Sequence, residues 1–177
     1  MRETTLWKRK ARHPGAETVC SEMGYELNVA VVYEDAVTRE WARQVREQLI
    51  EEAGEKAVHC TQWKIDDLRQ PELFREGAVA LAKADAIVIA LYEQERLPAQ
   101  FYLWLNLWLQ QRDGLPGALI GLIGTSRESG SASIETRRYL HSMASQGHLD
   151  LMLKRCDLTA EPADDLREGL LQWAHAA

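Results

Sequence analysis

Glu34 and Asp35 stand side by side after the apolar run "LNVAVVY", and further reactive side chains recur at intervals along the chain: Asp66 with Asp67, Glu93 and Glu95, Thr125 with Ser126, and Lys154. Adjacent carboxylates offer hard oxygen ligands of the kind that hold Mg²⁺, which makes Glu34 and Asp35 the candidate metal ligands. Thr125 and Ser126 open the stretch "GTSRESGS", which brings small residues, hydroxyls and one arginine to the start of a helix. Free backbone N–H groups and the helix dipole favour an anion there, and Lys154 would add a positive charge. Thr125, Ser126 and Lys154 are therefore the candidate binding residues for phosphate or a nucleotide. The plainer alternative is that Asp35 caps a helix, Asp66 and Asp67 are solvated, and Lys154 pairs with one carboxylate.

Other chemistries lack their signatures. The "GTSRESGS" loop has neither the spacing of a P-loop nor that of a dinucleotide-binding turn. His59 and Cys60 are adjacent, so on a strand they face opposite ways and do not share a zinc ion. No G-x-S-x-G elbow occurs, and none of the five histidines sits where it is marked as a base. No catalytic residue is assigned, and the sequence favours a non-enzymatic role.

For the candidates to act together, the elements must gather them at one edge. Runs with strand character and runs with helical period alternate five times from residue 27 onward, the pattern of a parallel sheet covered by helices on both faces. The strands are "LNVAVVY", "AVHCTQWKI", "DAIVIALY", "ALIGLIG" and the short "LDLMLK". Trp41, Val45 and Leu49 recur every four residues in the first helix, with Asp35 at its N-cap and Gly54 as its stop. Pro71 opens the second helix, Pro98 the third, the fourth runs from about Ile134 to Gln146, and "PADDLREGLLQWAHA" closes the chain as an amphipathic helix. Ligands of such sheets bind outside the carboxyl ends of the strands, the edge that would collect Glu34, Asp35, Thr125, Ser126 and Lys154. The domain reading is an N-terminal arm, 1–26, followed by one α/β domain, 27–177: a three-layer α/β/α sandwich with a five-stranded parallel sheet, for which resemblance to the flavodoxin-like group implies the order 2-1-3-4-5.

The chain has 177 residues, enough for one core. A net charge of −6 removes the overall basic footprint that nucleic acid requires. The short basic run "WKRKARH" near the start reads as a solvated arm. No apolar run is long enough to span a membrane, and no leader with a cleavage site is evident. Cys20, Cys60 and Cys156 are odd in number and widely spaced, which suits reduced thiols and a cytoplasmic location.

The alternation resembles the flavodoxin-like group, and most of all response-regulator receiver domains. "DAIVIAL" is similar to the receiver's third strand, and "GHLDLMLKRCDLTAEPADDLREGLLQW" to its last strand, lysine and final helix. On that resemblance Glu34 and Asp35 match the acidic pair, Thr125 or Ser126 the hydroxyl, and Lys154 the lysine. Ala90 stands where the phosphorylatable aspartate belongs, and Arg155 replaces the proline after the lysine. The resemblance therefore implies a degenerate receiver-like module without phosphotransfer. "WKIDDL" is similar to TIR-type domains, but the helix after strand three lacks the glutamate of their NAD-cleaving members. The chain also resembles a set of small uncharacterised bacterial α/β proteins sharing a pattern seen here in Trp63, Pro71, Asp85, Pro98, Trp104, Trp108 and "GAL" at 117–119.

The third helix, 98–112, carries "FYLWLNLWL", with Asn106 its one polar residue. At about 100° per residue, Phe101, Leu105 and Trp108 form one apolar sector, suited to the sheet. Leu103, Trp104 and Leu107 form a second, which a single sheet does not reach. Such a patch marks an interface. Either the N-terminal arm, with Trp7, Val19, Met23 and Tyr25, covers it, or a second copy does across a two-fold axis. The function expected is a non-catalytic, receiver-like signalling or protein-interaction module, homodimeric through this helix and without a cofactor. The alternative is a small enzyme or nucleotide binder, with Mg²⁺ as the conceivable ion, at the carboxyl edge.

Overall fold

The computed structural model describes residues 26–92, 98–125 and 132–157; the expected N-terminal arm, the closing helix, Glu93, Glu95 and Ser126 lie outside them. The elements are β1 (Leu27–Tyr33), α1 (Ala36–Ala53), β2 (Val58–Lys64), α2 (Pro71–Lys83), β3 (Ala86–Tyr92), α3 (Ala99–Gln111), β4 (Gly117–Thr125), α4 (Ala132–Gln146) and β5 (Leu149–Asp157). Short 3₁₀ turns at Glu55–Ala57 and Ile65–Arg69 flank β2. The five strands form one parallel sheet, as the alternation predicts, in the order β2-β1-β3-β4-β5 that the flavodoxin-like resemblance implies.

The apolar run of β3 is explained by its place. It lies between β1 and β4, and its residues from Ala86 to Leu91 are fully buried. A strand covered on both faces has no wet side to alternate with. One face, with Val29, Val31, Val88, Ala90, Ile120 and Leu122, packs against Ala42, Val45 and Leu49 of α1. The opposite face, with Val32, Ile87, Ile89, Leu119 and Ile123, packs against residues of α2, α3 and α4. Helices on both faces give the three-layer α/β/α sandwich. The punctuation also follows the chemistry: Asp35 caps α1, Gly54 ends it at φ 91°, and Pro71 opens α2.

Two readings of the sequence need correction. The strand "LDLMLK" does not stop at Lys154 but continues to Asp157, because its polar residues lie on an edge strand that pairs only with β4. The second correction concerns Trp104, expected on the uncovered side of α3. It is 0% exposed. α2 lies alongside α3, so the helix has a neighbour as well as a sheet to pack on. The Trp104 ring meets the space beside Gly77 of α2, where an added Cβ would lie 3.0 Å from the ring, and its Nε1 donates to Phe74 O at 3.0 Å. Phe101, Leu105 and Trp108 are buried as predicted, Leu107 is half-buried, and Leu103 is 64% exposed.

The amino edge of the sheet is tied by two polar groups. Asp85, just before β3, donates its backbone N–H to Asn28 O and accepts Ala118 N–H at its own carbonyl; its carboxylate accepts from Asn28 N at 3.0 Å. One residue thereby links the starts of β1 and β4 to β3. Arg112, at the end of α3, is 1% exposed. Its guanidinium donates to Leu81 O (3.2 Å) and Ala84 O (2.8 Å) at the end of α2, and to Leu115 O (3.0 Å) and Pro116 O (3.1 Å) ahead of β4. The carbonyls in a helix's last turn lack intrahelical donors, and a cation there is also favoured by the dipole. Gly117 must be glycine beside this cluster, since a Cβ would collide with the Arg112 guanidinium and lie 2.6 Å from Asp85 O.

Replacing Arg112 with methionine fills a similar volume but leaves those carbonyls without donors, so urea unfolding should show a loss of about 3–5 kcal/mol. Trp104→Ala should cost about 3–5 kcal/mol by emptying a core site. Leu103→Ala, on the outer side of the same helix, should change the stability of the single chain, measured on dilute protein, by less than about 0.5 kcal/mol.

Candidate functional site

β1 and β3 end next to each other at the carboxyl edge, their last residues Tyr33 and Tyr92 only two register positions apart. The chain passes from β1 to α1 through Glu34 and Asp35 alone. That brevity fixes where their side chains go. Asp35 Oδ1 accepts from Val37 N (3.0 Å) and Thr38 N (2.9 Å), the orphan donors at the start of α1. The buried Thr38 hydroxyl reaches back and accepts from Glu34 N (2.9 Å) and Asp35 N (2.8 Å), completing a capping box.

Both carboxylates then close on the last residue of β3. Asp35 Oδ2 accepts the Tyr92 hydroxyl at 2.9 Å, and Glu34 Oε2 accepts the Tyr92 backbone N–H at 3.0 Å. Trp41 of α1 meets the Tyr92 ring edge-on at 5.7 Å between centroids. Both rings rest over Gly124 of β4, where a Cβ would lie 2.5 Å from the Trp41 ring and 2.9 Å from that of Tyr92. Arg39 lies over the Tyr33 ring and donates to Gln62 Oε1 at 3.1 Å, bracing the β1 and β2 ends.

The electrostatics follow from these contacts. Partial burial opposes ionisation of Asp35, but hydrogen bonds from Thr38 N, Tyr92 Oη, Thr38 Oγ1 and Val37 N together outweigh it and hold the carboxyl below its usual value of 3.8. Burial, the hydrogen bond to Asp35 and the charges of Asp35 and Glu34 push the Tyr92 phenol up to about 12. Both shifts stabilise the same state, a carboxylate accepting from a neutral phenol.

The other candidates are spread across the neighbouring strands and turns. Thr125 is the last residue of β4, with Asp157 as its register partner; its side chain, like Ser126, lies outside the described part. Lys154 pairs in register with Leu122, which is level with Ala90 and Tyr33, so it lies in the row that ends β1, three strands across the sheet, and β5 runs three residues beyond it. Asp66 is exposed and lies 3.9 Å from Lys64 and 3.7 Å from Arg69, a solvated surface charge. Among the described residues no three His, Cys, Asp or Glu side chains are grouped so as to hold a metal ion. Ala90, where the resemblance to receivers seeks an aspartate, is buried against α1's face of the sheet. Sequence reasoning missed Tyr92 and Gly124: Tyr92 reads as one more residue of the apolar strand "DAIVIALY", and a lone glycine in β4 reads as any other.

Comparison with known proteins agrees with this architecture. No protein-family model matches the chain, and no curated protein matches its sequence. Among solved structures, a short-chain flavodoxin associated with a non-canonical PDU bacterial microcompartment is 20% identical, with a TM-score of 0.56 over 84% of this chain and 95% of that one. A flavodoxin from Streptococcus pneumoniae TIGR4 is 17% identical, with a TM-score of 0.52 over 83% and 94%. The fold is flavodoxin-like. Identities this low carry the architecture and nothing more, so the chemistry of the edge rests on its own residues.

Two pH dependences follow. The raised phenol contributes stability that is whole below pH 10 and disappears as pH rises through about 12. The depressed Asp35 carboxyl contributes stability present above pH 3.8 and lost as pH falls through its lower folded value. Burial pushes Tyr139 up to about 12 as well, so Tyr92→Phe should remove one of two late-titrating phenols read by near-ultraviolet absorbance, together with part of the acid-side fall in melting temperature. Asp35→Ala, which removes the cap as well, should cost about 1–2 kcal/mol at neutral pH.

Proposed function

We propose that this chain is a non-catalytic, receiver-like interaction module that associates with a second copy through α3. The observation that carries the reading is the state of the carboxyl edge. Asp35 spends both carboxylate oxygens on Tyr92 and on the start of α1, and Glu34 turns Oε2 to the Tyr92 backbone N–H. A general base or metal ligand must present an oxygen to a substrate or ion. The presence of Ala90 in place of an acceptor carboxylate supports the same conclusion, since it takes no phosphoryl group.

With the edge so engaged, recognition falls to a face. Leu103 is the most exposed of the large hydrophobic residues described, and half-buried Leu107 follows one turn later on α3. Leaving a leucine wet forgoes about 1.5–3 kcal/mol. A two-fold axis through α3 would set Leu103 and Leu107 against their mates. With Trp104 committed to α2, the surface is narrower than the helix's composition suggests.

Light scattering on the purified protein should give twice the 20.1 kDa chain mass at tens of micromolar. Leu103→Asp should return the monomer mass with the melting temperature of the monomer unchanged. A wild-type protein that stays monomeric throughout would rule the association out.

A further inference from the structure

In a sheet of order 2-1-3-4-5 the strand order reverses between β1 and β3, and flavodoxin carries FMN in the crevice at that point. A phosphate group is held there, as at other helix starts, by backbone N–H groups with no partner of their own. The fit of such a group to this chain is decided at the start of α1. The N–H groups of Val37 and Thr38 are taken by Asp35 Oδ1, and those of Glu34 and Asp35 by Thr38 Oγ1. The side chain at the anion's position is itself an anion, and Glu34 adds a second charge one residue away. The connection has only those two residues, with no glycine-rich loop to wrap a phosphate. On the sheet side, Trp41 and Tyr92 already lie against Gly124. FMN does not fit these residues.

We infer that the β1/β3 crevice is closed to FMN and to other phosphate-bearing ligands, because Asp35 and Thr38 occupy the backbone donors that would bind the phosphate. The chain keeps the flavodoxin-like architecture with its customary binding position filled by its own carboxylate. This conclusion is independent of association through α3, since a monomer and a dimer have the same crevice.

The test titrates the full chain into FMN and follows flavin fluorescence, with melting curves at zero and about 5 mM phosphate, too dilute for the general stabilisation that excluded salts give. The expected result is no saturable quenching up to about 1 mM protein and the same melting temperature with and without the added phosphate. Saturable binding in that range, or flavin retained by the protein through purification, overturns the inference. A second variant separates occupancy from charge: Glu34→Gln with Asp35→Asn removes both charges but keeps an oxygen to cap α1. With its melt shown to be cooperative, this variant should also leave FMN fluorescence unchanged. If it binds FMN, charge rather than occupied donors closes the site, and the inference as stated fails.

Discussion

A guanidinium buried among carbonyls sets the frame. Arg112 gathers the end of α2 and the connection into β4 around one charge, and with them the position of α3, whose last turn carries it. Removing a cation from water is expensive, and only a full set of acceptors makes it tolerable. The site therefore accepts one arrangement of three elements and no near neighbour of it. Gly117 is the corollary, since β4 must begin where no side chain has room. With its end held, α3 can turn Trp104 toward Gly77 and leave Leu103 outside.

The two edges of the sheet are closed by the same logic and different groups. At the amino edge, Asp85 and Arg112 satisfy backbone atoms that the strands and helices leave over. At the carboxyl edge, Glu34, Asp35 and Thr38 do so for the start of α1 and the end of β3. Open α/β sheets ordinarily leave the second edge available to ligands. Among the described residues, Asp35 and Thr38 commit the polar groups at the start of α1 to holding the fold.

Much of this was legible in the residues. Apolar runs give the strands, Asp35, Gly54 and Pro71 give helix limits, and the strand order follows from the flavodoxin-like resemblance. The helical period correctly sent Phe101, Leu105 and Trp108 to the sheet. It misplaced Trp104, because a wheel knows the helix but not the second helix beside it. Arg112 was not legible: a single cation near "DGLPG" looks like any solvated helix end, and its partners are backbone carbonyls, which leave no trace in residue types. Tyr92 failed for a related reason, since its value lies in two carboxylates far away in sequence.

The capping box ties together residues that no local pattern would group. Asp35 serves Thr38 and Tyr92 at once, and the room for Tyr92 and Trp41 exists only because residue 124 is glycine. A change at any one of these positions alters what the others gain from their identity. In descendants of this chain, the carboxylate, the hydroxyl, the phenol and the glycine would be inherited and lost as a set, and a lineage that reopened the crevice would reveal it by exchanging all of them together.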